Sequence, residues 1–139
     1  MTGKVRIAVV PAVEDEPVEV RWIDRERDIE ESYRFVGSIT IQRIWQAEDA
    51  PRSCGRWWGY TDEDSKMKQS PVNRRATGVA EMLGWTRWPG DFLAGSVVFI
   101  GRDGELRTDV PDILLTVLAE MGSAIREFDQ DDQEVSQSG

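Results

Sequence analysis

Residues 4–10 are largely β-branched and apolar apart from Lys4 and Arg6, Pro11 closes them, and this reads as a strand. Residues 18–23 alternate instead, with Val18, Val20 and Trp22 set against Glu19 and Arg21. That period of two predicts a half-buried second strand, joined to the first as a hairpin through the acidic turn Glu14-Asp15-Glu16-Pro17. A short helix follows. Asp28 and Glu31 have capping-box spacing, Ile29, Tyr33 and Val36 form the apolar stripe, and Gly37 ends it. Residues 38–45 return to strand composition with Ile39 and Ile41 on one face. Residues 47–53 read as a loop, 56–61 as a Trp-rich strand and 62–65 as an acidic, solvated turn.

Ser70 and Pro71 make a helix start, with Ser as N-cap and Pro at the first helical position. Val72, Ala76, Val79, Ala80 and Leu83 then recur at helical spacing up to Gly84. After a loop over 85–95, residues 96–100 are the most apolar strand, turned by Gly101-Arg102-Asp103-Gly104 into a short partner at 105–107. In the last predicted helix Asp109 is the cap, Pro111 lies in the first turn, and Leu114, Val117, Leu118, Met121, Ile125 and Phe128 repeat at intervals of three and four. The pattern predicts an α+β fold. It is a small, mostly antiparallel sheet of hairpins with about three helices on one face, the C-terminal amphipathic helix packed against it. One domain over residues 1–128 is followed by an acidic tail over 129–139 that is expected to be disordered.

Composition narrows the chemistry. The 139 residues contain no His and one Cys, which removes Ser–His and Cys–His catalysis and the commonest metal ligand, so neither a metal nor a cofactor is expected. Neither Walker nor dinucleotide glycine spacing occurs. The acidic run Asp62-Glu63-Asp64 lacks EF-hand spacing, and Cys54, beside Arg52 and Arg56, has no base in the sequence to activate it. A net charge of −9 argues against a nucleic-acid partner, since counterion release needs clustered Lys and Arg. No run of about 20 apolar residues is present to span a membrane. With no signal-peptide pattern and one unpaired Cys, the expected compartment is a reducing cytoplasm.

Several segments, taken in order, carry a resemblance. They are a first strand with Val18-Glu19-Val20, then Val36-Gly37-Ser38-Ile39-Thr40, the hairpin around Thr61 to Lys68, and Pro71-Val72-Asn73-Arg74-Arg75-Ala76-Thr77. Gly90-Asp91 and Ala94-Gly95-Ser96-Val97-Val98-Phe99-Ile100-Gly101 complete the set. Over residues 4–121 the chain resembles the domain of unknown function 3846, a family of small, mostly phage-encoded proteins. It departs from that pattern at Ser38, where a second Gly is usual, and in its longer loop over 85–95. The family has no established activity, so the resemblance implies a phage or prophage context in a bacterial host and little about chemistry.

Two groups of residues are candidate sites. Asn73, Arg74, Arg75 and Thr77 fall at a predicted helix start, where free backbone N–H groups favour an anion and two adjacent Arg oppose the helix dipole. They suit a small anionic ligand such as a phosphate or nucleotide, or else they pair with local carboxylates. Trp57, Trp58 and Tyr60 lie on one strand, so the two adjacent Trp point to opposite faces, one into the core and one more exposed; Trp85 and Trp88 flank Pro89 in a loop. An exposed Trp suits a protein contact. The first functional reading is therefore a non-catalytic phage-type protein that binds a host protein. The second is a small-anion or nucleotide binder at Asn73-Arg74-Arg75. The third is an enzyme working through carboxylates alone. Oligomeric state is open, a homodimer included.

Overall fold

The computed structural model describes residues 3–86 and 89–129. Trp88 and the predicted tail beyond Asp129 lie outside the described residues. The chain folds as β1 (Lys4–Val10), β2 (Val18–Asp24), a 3-10 turn (Arg25–Arg27), α1 (Asp28–Val36), β3 (Ile41–Trp45), a second 3-10 turn (Arg52–Cys54) and β4 (Trp57–Asp62). It continues with α2 (Arg74–Met82), β5 (Val97–Asp103), β6 (Leu106–Thr108), α3 (Asp112–Glu120) and β7 (Ile125–Glu127). This is an α+β domain on a seven-stranded sheet of order β3-β4-β5-β1-β2-β7, with β6 paired to the end of β5. Every pairing is antiparallel except β2 with β7. Among the described residues no helix is long and apolar enough to cross a membrane.

The helices lie on both faces, not on one. Val5, Ile7 and Val9 pack with Trp58, Tyr60, Val98 and Ile100 under α1, whereas Ala8, Val10, Trp57, Val97 and Phe99 pack under α2 and α3. The physical reason is legible in β5. Val97, Val98, Phe99 and Ile100 are all fully buried, and a strand with no polar position needs cover on each side. Trp57 and Trp58 obey the same alternation. Each is buried in a different half of the core, so neither is the exposed residue expected of the pair.

Three helix boundaries move. Asp28 is the first residue of α1 and not its cap; the residue before the helix, Arg27, supplies no side-chain cap, and Asp28 itself is buried. The cap of α2 is Asn73, three residues beyond the predicted Ser70, and its Oδ1 accepts from the Ala76 N–H at 2.9 Å. The last helix starts at Asp112, because the Asp109 carboxylate is used by the Arg6 backbone N–H at 2.9 Å. It ends at Glu120, before Gly122 takes a φ of 96°. Ile125 and Phe128 therefore do not extend a helix; Ile125 begins β7, which lies parallel to β2 with Val18 opposite Ile125. Ile39 falls outside β3 and is 78% exposed, so it does not share a buried face with Ile41.

Candidate functional site

The helix start nominated by the sequence is built into the fold. Asn73 is fully buried, and its Nδ2 donates to the carbonyls of Val10 at 2.8 Å and Gly95 at 2.9 Å while its Oδ1 caps α2. Thr77 Oγ1 donates to the Asn73 carbonyl at 2.8 Å and accepts the Leu93 N–H at 2.9 Å. The Arg75 guanidinium is buried and donates to the carbonyls of Glu16 (2.8 Å), Pro11 (2.8 Å) and Val13 (2.9 Å). Burial lowers its pKa, which Glu14, Glu16 and Asp15 oppose. Arg75 thus ties the β1–β2 turn to α2, while its neighbour Arg74 is exposed. The structure does not bring the two arginines together over one pocket, because one serves the interior and the other faces out.

The acidic turn is likewise tied down. Asp62 is buried, not solvated, and pairs with Lys68 at 2.8 Å. Burial works against its ionisation, yet the hydrogen bonds from Lys68 and from the Asp64 N–H hold the carboxyl below its ordinary pKa. Asp62 and Asp91 both line a cavity of about 270 Å³ that also includes Trp85, and Asp91 pairs with Lys66. A general acid needs a carboxyl pushed the other way, toward protonation at neutral pH. Cys54 is buried in the α2/α3 side of the core. Among the described residues no group of three His, Cys, Asp or Glu is placed to hold a metal ion.

Charge collects on the α1 face. Trp45 stands opposite Trp58 and Arg43 opposite Tyr60 across β3 and β4, and Arg102 stands opposite Arg107 across β5 and β6. This register carries three guanidinium groups onto one buried indole. The Cζ atoms of Arg43, Arg107 and Arg102 lie 4.2, 4.9 and 5.4 Å from the Trp58 ring centre. Arg107 has a carboxylate partner, its Nε donating to Asp28 at 3.2 Å. Arg43 and Arg102 meet no carboxylate at ion-pair distance among the described residues; each is held by rings. The Trp58 Nε1 and Arg102 Nε atoms are buried here without a hydrogen-bond partner.

Asp28, at the start of α1, anchors the other side of the cluster. The Tyr60 hydroxyl donates to its Oδ2, the oxygen that also receives Arg107. Burial and this carboxylate raise the Tyr60 phenol well above its ordinary pKa. Beside it, a groove of about 430 Å³ opens between α1 and β3, lined by Ile29, Tyr33, Ile39, Thr40, Ile41, Arg43, Trp45 and Tyr60. The volume falls in the range of small-ligand sites. Of the residues singled out by sequence, Trp58 and Tyr60 belong to this site, Trp57 to the opposite core and Trp85 to the smaller cavity. Sequence reasoning missed Asp28, Arg43, Trp45, Arg102 and Arg107. Arg43 and Trp45 alternate on β3 and carried the one usable signal, a cation two residues from an aromatic on an edge strand.

No family model, curated protein or solved structure matches the chain.

Proposed function

We propose that this is a non-catalytic binding protein of a phage or prophage context that captures a small anionic ligand on its α1 face. One observation carries the reading. Three guanidinium groups converge on Trp58 with a single carboxylate between them, in a chain with 26 acidic and 17 basic residues. Arg43 and Arg102 meet no carboxylate at ion-pair distance among the described residues, so an incoming oxyanion gains charge-assisted hydrogen bonds that the protein's own carboxylates do not take. The sequence class of small-anion binder is kept, but its place moves from Asn73-Arg74-Arg75 to the α1 face, where Arg43 lines the groove and Arg102 and Arg107 stand with it around Trp58. The phage context rests on the resemblance over residues 4–121. The non-catalytic reading rests on the lack of His, the burial of Cys54 and the lysine-paired state of Asp62.

Isothermal titration calorimetry with inorganic phosphate tests it. The expected result is one saturable site whose affinity falls as sodium chloride rises and which disappears in Arg43→Gln. Heat that does not saturate, or an unchanged isotherm in the variant, overturns it. Docking on a host protein is the second reading, carried by Ile39 and Trp45, which are 78% and 50% exposed at the groove. It predicts a specific partner retained from host lysate by the wild type and lost in Ile39→Asp; equal retention by both contradicts it.

A further inference from the structure

The composition of the groove wall says more about the ligand than its charge does. Of the eight residues that line the groove, Arg43 alone is charged, and the remainder are aliphatic or aromatic apart from Thr40. The Arg43 Cζ atom is 5.1 Å from the centre of the Trp45 ring and 5.9 Å from that of Tyr60, so cation and rings form one continuous wall. Trp45 is half exposed, with its ring at 83° to that of Trp58. A bare oxyanion would engage the guanidinium and leave this apolar surface wet. A ligand that covers the wall gains the burial as well.

Resting on the reading above, we infer that the groove takes a planar ring that carries an oxyanion, phosphate or carboxylate. The oxyanion sits on the planar fork of Arg43, which matches two oxygens at once. The ring lies against Trp45 and Tyr33, and the aliphatic wall at Ile29 and Ile41 closes over its edge. The cavity between α1 and β3, with one cation and several rings, suits this class better than a polyanion, which needs several cations along its length.

The test is isothermal titration calorimetry of the full chain. The probes are adenosine monophosphate and indole-3-carboxylate, with adenosine, indole and inorganic phosphate as their parts. The expected result is saturable binding of at least one ring-bearing oxyanion, at least tenfold tighter than its neutral ring and than phosphate. Comparison of the two assigns the group as phosphate or carboxylate. Arg43→Gln is expected to weaken that ligand at least tenfold. Trp45→Ala, a change at a half-exposed position, is expected to weaken it by a larger factor than it weakens phosphate. Should Arg43→Gln fail to fold, Arg43→Lys keeps the charge without the fork and is expected to lose most of the affinity. Phosphate binding as tightly as both ring-bearing anions overturns this inference and leaves the anion reading standing. Neutral adenosine or indole binding as tightly as its anion also overturns it. Binding of no oxyanion overturns both.

Discussion

At the scale of single residues, the interior polar groups matter most for stability. Asn73 satisfies the start of α2 and two carbonyls from separate segments, so Asn73→Ala removes three hydrogen bonds, two of them buried. The expected loss is roughly 2–4 kcal/mol, combining a missing cap with carbonyls that lose their donor. Chemical denaturation measures it. Asp62 gives a pH prediction. Its folded pKa is depressed below the unfolded value of about 3.9, so the stability it contributes is complete above that value and is lost as the pH falls through the folded one. Asp62→Asn is therefore expected to flatten the acid limb of the stability–pH curve and leave the neutral slope unchanged. Tyr60 shifts upward, the opposite direction, so its neutral form is preserved where an exposed phenol at about pH 10 ionises. In Tyr33→Phe, where Tyr60 is the one tyrosine left, phenolate absorbance is expected to appear only with alkaline unfolding. An ordinary titration near pH 10 in that variant contradicts the Asp28–Tyr60 arrangement.

Elements were legible in the sequence wherever one periodicity ran without competition. All seven strands except β7 stand close to their predicted places, because β-branched runs and Gly or acidic turns bound them. Helix starts were not, because the deciding contacts are long-range. Asn73 wins the cap of α2 over Ser70 by bonding to Val10 and Gly95, and no local pattern reports that. Ile125 and Phe128 continue the apolar spacing of α3, yet Gly122 in the left-handed region releases the chain to pair with β2. Trp57→Ala and Trp58→Ala are each expected to cost about 3–5 kcal/mol, since the two rings fill different halves of the core. A Trp58→Ala variant as stable as the wild type would mean that the α1 side is not packed.

Across the whole molecule, net charge concealed the site. The net charge of −9 over 139 residues points to a solvated acidic surface, while β-register gathers Arg43, Arg102 and Arg107 around Trp58 from distant parts of the chain. Pairing register is not visible in composition, and it is what creates the candidate site. The arrangement leaves Arg43 and Arg102 without a carboxylate partner among the described residues, and an anion would supply one. Arg102→Met tests this most directly, because it keeps the aliphatic stem over Trp58 and removes one charge. Its melting temperature should be compared with that of the wild type in low-salt buffer, with and without inorganic phosphate. Phosphate is expected to raise the melting temperature of the wild type more than that of the variant. A variant that phosphate stabilises by the same amount as the wild type contradicts the proposed site.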